Sequence, residues 1–170
     1  MWVAILAPMT DVRRATVADA AELVRLRGVM LASITGHEPP DNGWRQAAYD
    51  LLEARLSAQE PTLIAIVVDH PDRPGALAAC AVGSIEHRLT NPHNLTGAAG
   101  YIFNVATDLD QRRRGYSRLC VTALLDWYRN HGITTVNLRA SPDGEPLYRS
   151  LGFARTPDPA MRLHLSSPDT

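Results

Sequence analysis

Asn104-Val105-Ala106-Thr107-Asp108-Leu109-Asp110-Gln111-Arg112-Arg113-Arg114-Gly115-Tyr116-Ser117-Arg118 decides the fold. A β-branched, apolar strand beginning at Tyr101 runs to Thr107 and gives way to a polar turn. The turn opens directly into a helix predicted over Tyr116 to Asn130. A helix N-terminus carries unpaired N–H groups and roughly half a positive charge, so it attracts anions. Gly115 lets backbone approach a ligand closely, and Ser117 keeps the next side chain small. Arg112, Arg113, Arg114 and Arg118 crowd the same end. Stability alone would place acids there, because cations oppose the helix dipole. The arrangement therefore suggests phosphate. The alternative, a solvated arginine run, leaves that opposition unexplained. GxxxxGK[ST] and GxGxxG are both absent, which excludes a Walker loop and a dinucleotide fingerprint.

Outward from this stretch, Val12 to Ala15 reads as a short extended segment. Thr16 to Asp19 offers helix-start residues, and Ala20, Leu23, Leu26, Val29 and Met30 recur at helical spacing. Gly36 to Gly43 is a loop. Trp44 to Leu56 is a second helix with Ala48, Leu51, Leu52 and Leu56 inward. Leu63 to Val68 and Leu77 to Ile85 form strands joined through Pro71, Asp72, Pro74 and Gly75. In the helix after the arginine turn, Leu119, Ala123, Leu124 and Trp127 make one stripe. Thr134 to Ala140 is a strand and Glu145 to Leu151 a short helix. Phe153, Met161, Leu163 and Leu165 alternate like final strands, and Pro168 to Thr170 is a frayed end. Hairpin strands first and β-α-β crossovers later predict an α/β (α+β) fold: a mixed, mostly antiparallel sheet flanked by helices.

The chain has 170 residues, 45% hydrophobic and 21% charged, which fits one globular domain spanning 1–170. Residues 1–10 read as an N-terminal extension: the apolar start lacks a basic segment and is a poor signal peptide. No apolar run reaches the roughly 20 residues of a membrane helix, so no membrane partner is expected. All 17 basic residues are arginine, and the net charge is −1. Any phosphate contact must then use guanidinium or backbone N–H. That net charge and the lack of an aromatic platform beside the arginines argue against nucleic acid. Cys80 and Cys120 read as buried thiols in a reducing compartment, so the expected location is cytoplasmic. No zinc spacing occurs, and no metal is expected. Asn94-Leu95-Thr96 fits a glycosylation sequon by chance.

The arginine turn resembles motif A of the GCN5-related N-acetyltransferases, R/Q-x-x-G-x-G/A, as Arg112-Arg113-Arg114-Gly115-Tyr116-Ser117 with Ser at the last position. Downstream, Asn137 to Phe153 is similar to that family's motif B. A strand ends in a small polar residue, Ser141, and a short helix carries Leu147-Tyr148 and Leu151-Gly152-Phe153. The resemblance covers roughly residues 11 to 165. It implies the acyl-CoA N-acyltransferase fold, acetyl-CoA as cosubstrate and an amine acceptor. It also implies that pantetheine lies in a split of the sheet beside a β-bulge. There Val105, Ala106 and Thr107 would offer backbone groups, and an N–H near Val105 would polarise the thioester carbonyl. Arg112 through Ser117 would cradle the pyrophosphate. Tyr148 matches the general acid, and Ser141 a pantetheine or water contact.

The base is less legible. The two strand positions that often serve are occupied by Phe103 and Tyr101, and Tyr101 is the candidate proton relay through water. Glu86, His87, His93, His37 and Glu38 are surface alternatives. Trp44 either lines the acceptor mouth or anchors its helix in the core. The acceptor is a small-molecule or peptide amine whose identity stays open, as does an acyl group longer than acetyl. A non-catalytic acyl-CoA-binding or regulatory module is the alternative function. C-terminal strands and open sheet edges lead us to expect a homodimer.

Overall fold

The computed structural model describes residues 11–165; the N-terminal extension and the frayed C-terminal end lie outside them. The chain divides into two compact units, Met1–Arg139 and Ala140–Thr170.

The first unit is built on five strands in the order β1-β2-β3-β4-β5. They are β1 (Val12–Arg14), β2 (Leu63–Asp69), β3 (Leu77–His87), β4 (Ala98–Thr107) and β5 (Val136–Leu138). The first four pair antiparallel and β5 joins β4 in parallel, so the sheet is mixed and mostly antiparallel, as expected. Helix α1 (Ala20–Thr35) and helix α2 (Trp44–Leu56) cover one face, and helix α3 (Tyr116–Asn130) packs on β2, β3 and β4. Leu63, Ala65 and Val67 of β2 join the core beneath α1 and α2 with Leu23, Val24, Leu26 and Leu52. Strand alternation sends Ile64, Ile66 and Val68 to the opposite face, and all three are buried.

Helix α1 starts where the sequence places it. Thr16 N–H donates to Asp19 Oδ2 (2.8 Å), which helps satisfy the exposed helix start. Gly36 ends the helix in a left-handed conformation at φ 78°. Arg13 ties three elements together, donating to both carboxylate oxygens of Asp19 and to Asp69 at the end of β2 (2.7 Å).

Tyr128 of α3 sits over two glycines. A Cβ on Gly100 would lie 2.8 Å from its ring, and one on Gly83 would collide with its hydroxyl. That hydroxyl donates to the carbonyls of Ser84 (2.9 Å) and Tyr101 (3.3 Å). The buried stripe of α3 is Tyr116, Cys120, Val121, Leu124 and Tyr128, which corrects the stripe read from the sequence. Leu119 is 39% exposed, and Ala123 and Trp127 are half-buried. The aromatic slot over the glycines fixes the rotation of the helix. Leu51 is also 53% exposed rather than inward. Cys80 and Cys120 are free and buried, as expected; burial pushes the Cys80 thiol up to about 12 and raises Cys120 further.

In the second unit, helix α4 (Glu145–Ser150) has Pro146 in its first turn and closes at Gly152, φ 94°. The expected final strands do not form among the described residues. Met161, Leu163 and Leu165 are at least 80% exposed, so their alternation has no apolar face to rest on.

Gly83→Ala should destabilise by about 1–3 kcal/mol through overpacking. With Tyr128→Phe present the added loss should shrink, because the colliding hydroxyl is gone; urea midpoints of the double-mutant cycle measure the coupling. A second outcome concerns pH. Arg13 holds the Asp19 carboxyl below its ordinary value. A lowered carboxylate stabilises the fold above the unfolded value near 4 and loses that contribution as pH falls through the folded value. Arg13→Gln should therefore cost about 1–2 kcal/mol at pH 7, with the wild-type and variant curves converging as pH falls below about 4.

Candidate functional site

The site starts from a register fault. Val82 pairs with Asn104 but Gly83 pairs with Ile102, leaving Phe103 as an extra residue in β4. In such a bulge two successive side chains point to one face. Phe103 and Asn104 both line a cavity of about 300 Å³ against α1 and α2, and by alternation Tyr101 shares that face.

The bulge coincides with the end of pairing to β5. That strand meets β4 only at Gly100, Tyr101 and Ile102. Beyond it, Asp108 N–H donates to Ala78 O in the direction of β3 (2.8 Å). Alternation then turns the N–H groups of Val105 and Thr107 to the opposite edge, where no described strand pairs with them. Ala106 points its side chain into the α1–α2 core.

A buried ionic network fixes the turn that follows. Asp108, 7% exposed, accepts from Leu109 N–H and pairs with Arg25 of α1 and with Arg73 (2.5 Å). His70 Nε2 faces Asp110 (3.1 Å), while Asp72 N–H donates to His70 Nδ1, so Nε2 is the ring nitrogen that donates to the carboxylate. His70, Asp108 and Asp110 present ligand atoms within 4.8 Å of one another, a spacing a cation could use. The two arginines already occupy Asp108.

From this anchored point the chain turns through two left-handed residues, Arg113 at φ 65° and Gly115 at φ 80°. Alternation of right- and left-handed residues gathers successive N–H groups into an anion-binding concavity. A positive φ on a non-glycine residue is a strained conformation that function commonly maintains. Gly115 is the N-cap of α3, with no side-chain cap and no acid in the first turn. Ser117 and Thr107 hydroxyls share a hydrogen bond of 2.6 Å, which pins the helix start to the end of β4. Arg112 leans away, donating to Ser33 of α1 (2.8 Å). Arg113 and Arg114 are exposed, and Tyr116 is buried beneath them.

Tyr148 and Ser141 stand together in the second unit. A Cβ on Gly144 would lie 3.1 Å from the Tyr148 ring and 3.2 Å from Ser141 Oγ. Gly144 N–H donates to that hydroxyl (3.2 Å), so Ser141 also serves as a turn residue. Tyr148 packs edge-on against Phe153 at 5.9 Å. Burial holds its phenol above the ordinary value near 10, so it is protonated at neutral pH. Arg149 and Arg155 hold Glu145 at about 2. Of the alternative bases, Glu38 pairs with Arg45 and Glu86 with Arg88, and His37, His87 and His93 are exposed.

Arg27 is the residue the sequence reading passed over. It follows Leu23 by four and so stands on the inward stripe of α1, where an arginine is out of place. Its Nη1 donates to Asn104 Oδ1 (3.2 Å), and Asn104, 3% exposed, donates in turn to Cys80 Sγ. Trp44 packs against the core, as one reading of it has it, and also lines the cavity.

The acetyltransferase (GNAT) family model matches residues 30–153. The chain belongs to this family. Solved GNAT-fold proteins share its architecture across nearly its whole length. A predicted acetyltransferase from Clostridium acetobutylicum, solved with acetyl-CoA, is 24% identical with a TM-score of 0.78, over 92% of this chain and 96% of the other. A GCN5-related N-acetyltransferase from Ralstonia eutropha JMP134 is 22% identical with a TM-score of 0.72, over 90% and 97%. Glucosamine-6-phosphate N-acetyltransferase from Arabidopsis thaliana is 18% identical with a TM-score of 0.71, over 92% and 98%. At these identities the likeness is one of fold. No curated protein matches the chain by sequence.

If the start of α3 is an uncompensated cationic pole, Ser117→Asp should relieve it. The ~0.3–1 kcal/mol expected of an acid in the first helical turn is offset by loss of the Ser117–Thr107 hydrogen bond, so the melting temperature should stay within about 2 °C of the wild type. Stabilisation of the wild type by inorganic pyrophosphate, followed in the same melts, should shrink in the variant.

Proposed function

We propose that the chain is an acetyl-CoA-dependent N-acetyltransferase acting on a primary amine, and that its two units work as one GNAT domain. The observation that carries this reading is the pairing of a strand edge with a helix pole. The unpaired N–H groups of Val105 and Thr107 lie one short turn before the left-handed cradle at Arg113 and Gly115. A pantetheine chain would extend along that edge as an added strand, taking main-chain hydrogen bonds from Val105 to Thr107. The diphosphate would sit on N–H groups from Arg112 to Ser117, with guanidinium charge around it.

Reaction then consists of amine nitrogen attacking the thioester carbonyl carbon. The carbonyl oxygen gains charge, and an N–H at Val105 stabilises it; losing one such donor typically costs about 3 kcal/mol of transition-state stabilisation. The C–S bond breaks, the thiolate of CoA takes a proton, and an amide is released. Tyr148 is the acid for that thiolate: burial keeps its phenol neutral, the CoA sulfur takes the phenol's proton as the C–S bond breaks, and solvent reprotonates the phenolate. Ser141 contacts pantetheine or a bound water. The ammonium must lose its proton first, and Tyr101 relays it through water on the α1–α2 face. We assign no metal a role. The location we propose is cytoplasmic, and the assembly a homodimer.

A non-catalytic acyl-CoA-binding module is the second reading, favoured by Phe103 and Tyr101 where relatives often carry a carboxylate or imidazole. Thiol release across an amine panel separates the two. Tyr148→Phe should lower kcat by about 10²–10³, the range of a general acid, while acetyl-CoA still stabilises the variant against melting. Its rate should no longer fall at alkaline pH where the wild-type phenol ionises. Unchanged kcat in the variant removes Tyr148 from the mechanism, and no thiol release from any amine favours the binding module.

A further inference from the structure

The cavity beside the bulge has a composition that selects among amines. Its walls are apolar except for three groups: the Arg27 guanidinium, the Asn104 amide and the indole of Trp44. Trp44 Nε1 is buried and, among the described residues, has no hydrogen-bond partner. A buried donor left unpaired costs free energy, and a ligand acceptor would recover it. Arg27 is similarly incomplete. Arg13, Arg25, Arg45 and Arg73 each meet a carboxylate within 4.0 Å. Arg27 meets only the neutral Asn104 among the described residues. Asn104 is itself held through Cys80, so the guanidinium is fixed in place rather than waving in solvent.

We infer that this cavity takes an apolar amine bearing a carboxylate, the class of the aliphatic and aromatic α-amino acids. The inference rests on the acetyltransferase reading for what happens to the amine, but not for how the ligand is held. The carboxylate meets Arg27, with the Trp44 N–H as a second donor. The apolar side chain lies against the cavity wall, where Leu51 and Phe103 expose large apolar surface at 53% and 40%. About 300 Å³ holds roughly ten waters' worth of ligand, enough for one such amino acid and too little for an oligosaccharide. No carboxylate lines the cavity, so polyamines and aminoglycosides, whose second cation would face Arg27, are rejected. Phe103 and Asn104 belong to the bulge, which places the amine of such a ligand beside the edge where the thioester carbonyl is proposed to lie.

The test compares L-phenylalanine and L-leucine with 2-phenylethylamine and phenylalaninamide. Thiol release with acetyl-CoA gives kcat/KM, and calorimetry in the presence of CoA gives binding. The acids should be preferred about tenfold or more over the amine and the amide, the discrimination expected of one charge-assisted contact. Arg27→Gln should raise KM and Kd for the acids about tenfold with kcat little changed, and leave 2-phenylethylamine within about twofold. Trp44→Phe, which keeps a ring and removes the N–H, should weaken the acids in the same direction and serves if Arg27→Gln folds poorly. Equal use of acid, amide and amine by the wild type overturns the inference. So does a variant that weakens all of them alike. Selective binding of the acids without thiol release from any amine keeps the inference and overturns the acetyltransferase reading instead.

Discussion

Backbone hydrogen bonding along β4 is the constraint on which the rest depends. A central strand must satisfy both its edges, and β4 satisfies one against β3 along its length except at Phe103. Its other edge is satisfied by β5 for only three residues. An unpaired stretch of strand is ordinarily an aggregation hazard or an unmet polar cost. Here the single extra residue at Phe103 sits at the point where pairing with β5 stops. It bends the strand, frees the N–H groups of Val105 and Thr107, and puts Phe103 and Asn104 side by side on the face toward α1 and α2. One inserted residue thus creates both a strand edge open to an extended ligand and the polar corner of an apolar cavity.

Charge follows the same economy. With no lysine in the chain, every cation is a planar guanidinium suited to paired hydrogen bonds. Several of those in the first unit are consumed internally: Arg13 clamps Asp19 and Asp69, and Arg25 and Arg73 converge on the buried Asp108. These pairs hold the turn between β2 and β3 and the turn after β4, so they set where the arginine turn can reach. Among the described residues Arg113 and Arg114 at the pole of α3 meet no carboxylate, nor do the surface residues Arg14, Arg55, Arg112 and Arg139, and Arg27 differs from all of these in standing on the inward face of α1 beside the bulge. Charge left uncompensated in a protein that compensates it elsewhere is informative about ligands.

Element boundaries were legible because local chemistry encodes them. Helix α2 begins at Trp44 and ends at Leu56, and α3 runs Tyr116–Asn130, as periodicity and the glycines at 43, 115 and 132 indicate. What the sequence hid is set by long-range packing. The rotation of α3 follows from Tyr128 needing the space above Gly83 and Gly100, residues from two strands, so of the stripe read from the sequence Leu124 is fully buried while Leu119 is exposed and Ala123 and Trp127 are half-buried. The alternation of Met161, Leu163 and Leu165 is a genuine period of two, yet a strand also needs an edge and an apolar surface beneath it. In the site, the strand–turn–helix order and the glycine were readable from spacing. The bulge was readable only through the resemblance, since one residue too many is visible solely against a partner strand.

Arg27 sharpens that distinction. An arginine four residues after a core leucine on an otherwise apolar stripe is a local conflict between helix face and side-chain polarity. Such conflicts concentrate at functional positions, because elsewhere selection removes them. The usual resolution for an inward arginine is to reach past the core to water. Arg27 instead stops at Asn104, itself almost fully buried, and the pair is held from behind by a thiol that burial keeps protonated. A residue held this firmly has already lost most of its rotamer freedom on folding, so an anion arriving at the guanidinium meets a preorganised partner. The stability forgone in burying a half-satisfied cation is then recovered when a ligand binds, and that recovery is what separates a recognition site from a packing defect.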